Sequence, residues 1–268
     1  MIITPFAFMA PQSAGGDPDA EAYISAVTSA GGTLSGAEET AINTFFISLK
    51  DDGIYTKLHA LYPFLGGVAN AHKINATNPG TYDLTFNGTW THSNADGSTT
   101  TDSSGNYADT GLNPSLFSST SNFSFGQMII NAAASNGYSG VGNSASTYII
   151  SGQAGTLDTW NGANTPQDTG INFVDGAFVV NSRLLSSQWE RNYVVASGAG
   201  TVVNSVKVNT LASYSGNLYL NDVNGATGNN LSGDYRFAYM GEGLNSTEVQ
   251  NLANAVNTLN TAFSRNLW

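Results

Sequence analysis

The feature that most constrains this chain is a change of period at Gly243-Leu244. Upstream, INFVDGAFVVNS, RNYVVASG, TVVNSVKV, GNLYLNDV and DYRFAYMGEG place Val, Ile, Leu, Phe and Tyr at near-alternating positions between Gly, Asn and Asp. Such runs predict antiparallel strands with one face buried and one solvated. Downstream, Val249, Leu252, Val256, Leu259 and Phe263 recur at spacings of three and four, which predicts an amphipathic helix. Asn245 is placed to cap that helix and Glu248 to complete a capping box. The apolar stripe must be covered, and the preceding sheet is the expected cover.

Composition narrows the class. Thirty glycines scattered without a three-residue period in 268 residues fit a turn-rich β protein rather than a helical or collagen-like one. The predicted core comprises Phe86, Phe125, Ile129, Phe178, Val180, Tyr219, Phe237, Val249, Leu252 and Val256. With 8 basic and 19 acidic residues the net charge is −11, and no Lys or Arg falls between Lys73 and Arg183. Nucleic acid and anionic membrane are therefore poor partners. Without cysteine, disulfides and thiolate metal sites are excluded. The opening MIITPFAFMAPQ lacks a basic n-region and is too short for a membrane span, so no export signal or membrane insertion is expected.

Residues 1–19 read as an extended apolar arm, broken by Pro5, Pro11 and Pro18, that packs on its own domain or on a neighbour. A small helical module spans 20–67: Ala20 to Ala30 forms one helix, and Ser35 with Glu38 caps a second bearing Ala41, Ile42, Phe45, Phe46 and Leu49. Gly53 ends it, and Ile54, Leu58 and Leu61 continue the helical spacing up to Pro63. Residues 68–268 form the β-sandwich ending in the helix. In it, DLTFNGTWTHS carries Leu84, Phe86 and a core Trp90 around a turn or bulge at Asn87-Gly88, and NFSFGQMIINAA and STYIISG supply two more strands. Two long polar stretches, 94–111 and 152–170, read as functional loops.

Several segments resemble a known family. They are AEAYISAVTSAGGTLSGAEETAINTFFISLKDDGIYTKLHALYPFLGG at 20–67, AHKINATNP at 71–79, LTFNGTWTHSNADG at 84–97, GNYADTGLNP at 105–114 and YRFAYMGEGLNSTEVQNLANAVNTLNTAFSRNL at 235–267. In this order they resemble concanavalin-like (LamG-like) jelly-roll proteins among the virion structural proteins of tailed bacterial viruses. The resemblance implies a mainly β, two-sheet jelly roll preceded by a helical segment and closed by a C-terminal helix. It further implies a non-enzymatic, homo-oligomeric virion component that assembles through other virion proteins and needs no cofactor. AHKINATNP has Asn and Pro where the family carries a longer charged segment.

Chemistry finds little purchase in the residues themselves. A retaining glycosidase needs two carboxylates about 5 Å apart. Of six Glu, Glu21, Glu38, Glu39 and Glu248 fall on predicted helices, leaving Glu190 and Glu242 isolated. The Asp pairs 96/102 and 158/168 read as turn and loop solubilisers. No G-x-S-x-G elbow is present. His59 falls on a predicted helix, and His72 and His92 lack ligand spacing, so no metal site is expected. Asp96, Asp102 and Asp109 could offer oxygen ligands to calcium, but without EF-hand spacing they read as a solvated loop.

Glycan binding is the alternative role, since a sugar presents both an apolar face and hydroxyls to be read. Trp160 flanked by Asp158, Asn161 and Asn164 matches that chemistry best, with Trp189 and Tyr107 as weaker candidates. A host-surface glycan is the corresponding partner.

Overall fold

The computed structural model describes residues 16–101, 105–119, 122–131, 141–142, 151–153, 156–159, 167–172, 176, 178–184, 191–196, 199–204, 217–223 and 232–265. The helices are α1 (Pro18–Ser29), α2 (Gly36–Asp51), the single turn α3 (Ala69–His72) and α4 (Ser246–Ala262). The first strands are β1 (Leu58–Tyr62), β2 (Thr85–Asn87), β3 (Trp90–Ser93), β4 (Gly97–Thr100), β5 (Tyr107–Asp109) and β6 (Phe123–Ile130). Next come β7 (Val141–Gly142), β8 (Ser151–Gln153), β9 (Thr156–Thr159), β10 (Gln167–Asn172) and β11 (Phe178–Arg183). The last are β12 (Arg191–Ala196), β13 (Ala199–Asn204), β14 (Tyr219–Leu220), β15 (Asp222–Val223) and β16 (Gly233–Gly241).

The main sheet has eight strands in the order β13-β12-β11-β6-β16-β4-β3, with β1 also paired to β16. The other sheets among the described residues are one of five strands, β15-β7-β14-β5-β2, and one of three, β10-β9-β8. All of these pairings are antiparallel except β15 with β7.

Two apolar cores lie on opposite faces of the main sheet. On one face Met128, Phe178, Val180, Phe237 and Tyr239 share a core with Val27, Phe45 and Phe46 of α1 and α2 and with Val249, Leu252 and Val256 of α4. On the other, Phe123, Phe125, Val179, Tyr235 and Met240 pack with Leu84, Ala108, Leu218 and Leu220 of the five-stranded sheet and its flanks. The central strands are thus buried on both faces, not on one as their composition predicts: every residue of β11 is buried, as is every residue of β16 except Arg236. A register shift between Tyr235 and Phe237 lets these two aromatics serve opposite cores.

The predicted caps form. Ser35 Oγ accepts from Glu38 N at 3.3 Å while Glu38 Oε2 accepts from Ser35 N at 2.6 Å. At α4, Asn245 Oδ1 accepts from Glu248 N at 3.0 Å and Glu248 Oε2 accepts from Asn245 N at 2.9 Å. The cover of α4 is broader than expected, for α2 joins the sheet in it; Phe45 of α2 meets Phe237 edge-on at 6.0 Å.

Several readings of the sequence are corrected. Gly53, at φ 68°, ends the turn after α2, and residues 58–62 form a strand rather than more helix. Leu58 and Leu61 enter the helical core whereas Ala60 and Tyr62 enter the other, so a strand buried on both faces has mimicked a helical stripe. The stretch 94–111 is not one loop: β4 and β5 occupy much of it, and the stretch 152–170 likewise contains strands of the three-stranded sheet. Tyr219, placed in the core from sequence, is only half-buried, while Leu218 and Leu220 beside it are fully buried. Phe86 and Trp90 are also partly exposed and pack at the margin of the second core. The remaining predicted core residues are buried. Residues 1–15 of the apolar arm lie outside the described residues.

Candidate functional site

The outward face of the five-stranded sheet gathers aromatic and polar side chains. Alternation along β5 turns Ala108 into the core and leaves Tyr107 and Asp109 on the other side; on β14 and its approach, Leu218 and Leu220 point in and Asn217 and Tyr219 out. Register aligns Thr85, Asp109 and Tyr219 across β2, β5 and β14, and sets Asn87 opposite Tyr107. The rings of Tyr107 and Tyr219 meet edge to face, 5.6 Å between centroids and 86° between planes. Beyond Tyr219 the facing residue on β7 is Gly142, which has no side chain to lay over the ring.

Asp109 is held in place. Asn217 Nδ2 donates to both of its oxygens, at 3.0 and 3.2 Å, and Gly111 N donates to Oδ1 at 2.8 Å. Burial, with Asp109, Tyr107 and Asp222 adding to it, pushes the Tyr219 hydroxyl above its ordinary pKa, so it stays protonated and able to donate. The face thus offers flat apolar rings beside a fixed acceptor and an amide.

Sequence reading had this region only in part. In the sequence Tyr107 reads as a weaker glycan candidate, Asp109 as one of three carboxylates able to offer oxygen ligands to calcium, and Tyr219 as a core residue. The signal for Tyr219 was present in Leu218-Tyr219-Leu220, where burying both leucines forces the ring outward. Of the residues singled out in 152–170, Trp160, Asn161 and Asn164 lie outside the described residues. Asp158 is on β9, where register sets it opposite Asp168 on β10. The two are cross-strand neighbours rather than residues of an irregular loop.

Of the three histidines, His59 departs from its predicted helix. His59 lies on β1, and its Nε2 is 3.2 Å from Glu242 Oε1. Glu242 also accepts from Ser118 N at 2.8 Å and Ser118 Oγ at 2.7 Å, so its carboxylate ties Ser118 to the end of β16. Glu sits between Ser and His here, the reverse of a nucleophilic triad in which the imidazole must touch the hydroxyl.

His72 and His92, twenty residues apart, converge with their Nδ1 atoms 3.2 Å apart and Ser98 Oγ at 3.0 and 3.1 Å. That triangle has the size of a metal-ligand set, yet Gly67 N donates to His72 Nε2 at 3.1 Å. The proton of His72 therefore sits on Nδ1, where a metal would need a lone pair. Burial and then the neighbouring His92 and Arg265 push the His72 pKa down to about 3. Among the described residues no group of three or more His, Asp or Glu could hold a metal ion; of the calcium reading, Asp96 lies in the turn between β3 and β4 of the main sheet, Asp109 on β5 of the five-stranded sheet, and Asp102 outside the described residues.

A groove of about 270 Å³ between α2 and α4 is lined by Thr44, Ser48, Asn251, Asn254 and Thr258. Its hydroxyls already donate to carbonyls of their own helices, Thr44 to Thr40 at 2.9 Å and Thr258 to Asn254 at 2.9 Å. Asp52 at its rim accepts from Asn251 Nδ2 at 2.8 Å, but its one aromatic, Phe45, is buried, so no ring is offered beside that charge and the sheet face has the more directed chemistry.

No protein-family model matches the chain. No curated protein sequence matches it. Among solved structures, domain 4 of AbnA, a GH43 extracellular arabinanase from Geobacillus stearothermophilus in complex with arabinotriose, is similar at TM-score 0.53 and 20% identity, covering 74% of this chain and 98% of that one. The binding domain of Paraclostridial Mosquitocidal Protein 1 is similar at TM-score 0.53 and 16% identity, over 75% of this chain and 52% of that one. Trypanosoma rangeli sialidase in complex with sialic acid is similar at TM-score 0.51 and 11% identity, over 82% of this chain but 38% of the sialidase. At such identities the likeness shows the fold alone: an antiparallel, sandwich-like β protein, here with N-terminal helices and a C-terminal helix.

Proposed function

We propose that this chain is a carbohydrate-recognition module of the concanavalin-like jelly-roll type, one that binds a glycan without transforming it. The observation that carries the reading is the face bearing Tyr107, Tyr219, Asp109 and Asn217, where rings able to stack on a sugar lie beside groups able to read its hydroxyls. The likeness in fold to a domain in complex with arabinotriose supports it. A binding role fits the carboxylate of Glu242, which is taken up in holding Ser118 and His59. From the sequence alone, Asp158, Trp160, Asn161 and Asn164 are a second proposed set for holding a sugar, the last three lying outside the described residues. Retention of the full chain on immobilised bacterial surface polysaccharides tests the reading. Retention that soluble polysaccharide competes away is expected; a chain that passes through every fraction contradicts it.

A second reading makes the module a component of a tailed-virus particle, self-associating and in contact with other virion proteins. The motifs at 20–67, 84–97, 105–114 and 235–267 support it, as does the shared core of α1, α2 and α4 with the sheet, which builds the helical segment into the sandwich. Many copies on a particle would turn millimolar single-site binding into firm attachment. Sedimentation as an oligomer and density in virions by microscopy are expected; a monomer absent from particles contradicts it.

A further inference from the structure

We infer that the outward face of β2, β5 and β14 selects neutral saccharides over anionic ones, with Tyr107 and Tyr219 as the stacking surface and Asp109 with Asn217 as the pair that reads hydroxyls. The inference rests on the carbohydrate-recognition reading and names the ligand class within it.

Geometry sets the size of the ligand. Two outward rungs on three strands make a platform about 10 Å by 7 Å, room for one sugar or a disaccharide. The tyrosine rings stand nearly perpendicular, so a sugar laid on the face of one meets the edge of the other. On the same rung Thr85 is exposed at the β2 edge, and Gly142, next to Tyr219, has no side chain.

Charge sets its class. Asp109 is fixed by Asn217 and Gly111, and its remaining lone pairs can only accept, so it calls for hydroxyl donors. A sugar carboxylate or sulfate in its place would bring a second negative charge and no proton. None of the five strands of this sheet carries Lys, Arg or His. No Lys or Arg occurs in the sequence from 74 to 182, and a net charge of −11 disfavours the approach of any anion.

The test uses the full chain on surfaces carrying arabinotriose, xylotriose and lactose as neutral probes, and 3′-sialyllactose and trigalacturonate as anionic ones. Binding to at least one neutral probe is expected, with each anionic probe weaker by about tenfold or more. Tyr107→Ala and Tyr219→Ala should each weaken neutral binding about tenfold. Thr85→Lys, on the exposed edge and facing Asp109, tests the charge without touching the core, and should narrow the neutral preference at an unchanged urea midpoint. Preference for an anionic probe overturns the selectivity, and neutral binding that ignores all three substitutions overturns the site; either result leaves the carbohydrate reading standing. Failure of the wild type to bind any probe at about millimolar concentration removes the reading and the inference together.

Discussion

Nδ1 of His72 and Nδ1 of His92 lie 3.2 Å apart around a common Ser98 hydroxyl, and the His72 ring is held neutral by the Gly67 N–H at its far nitrogen. Burial lowers the pKa of His92 as well, so both rings resist charging.

Acid sensitivity follows from His72. Its folded pKa is pushed down to about 3, well below the ordinary histidine value of 6.5. As pH falls from 6.5 the unfolded chain takes up this proton and the folded chain does not, so stability is full above 6.5 and declines towards pH 3. At pH 5 the loss amounts to about 2 kcal/mol from this one group. Urea midpoints at pH 7.5 and pH 5 should differ accordingly, and His72→Asn should shrink the difference while lowering both midpoints. Equal midpoints in the wild type contradict the assignment.

Gly126 on β6 makes room for Tyr239. A Cβ at this position would overlap Cε1 of the Tyr239 ring and meet Cδ1 at 2.9 Å and Val180 Cγ2 at 3.0 Å. Phe178 packs on the same ring at 6.1 Å, so the ring has little freedom to withdraw. Gly126→Ala should cost about 1–3 kcal/mol by equilibrium unfolding. A neutral or stabilising effect contradicts this packing.

Asn245 starts α4 and Glu248 closes the capping box, while Glu248 Oε1 also receives Lys57 Nζ at 2.6 Å. Asn245→Ala should lower stability by about 1 kcal/mol. Lys57→Ala should cost less, about 0.5 kcal/mol, because the pair is partly solvated. The same urea titrations measure both, and a Lys57 effect larger than the Asn245 effect reverses the expected order.

Local signals of fold were legible wherever one interaction decided them. Ser35 with Glu38 and Asn245 with Glu248 marked helix starts because a cap is chemistry between residues three apart. Leu58 and Leu61 misled because a strand between two cores loses its alternation, and no neighbour in sequence announces the second core. The meeting of His72 with His92 depends on how α3 packs on β3 and β4, which spacing does not encode. The candidate face was legible in pieces: parity at Leu218-Tyr219-Leu220 turns Tyr219 outward, but its pairing with Asp109 is a register between distant strands. Trp160, the strongest sequence candidate, lies outside the described residues.

Aromatic side-chain NMR of the full chain, titrated with a neutral oligosaccharide such as arabinotriose, reads the central claim directly. The chain has 12 tyrosines, and those of the cores, Tyr23, Tyr62, Tyr235 and Tyr239, are buried away from any ligand. Saturable shifts of the Tyr107 and Tyr219 rings are expected while these four stay still. Saturating ligand that leaves both rings unmoved contradicts it.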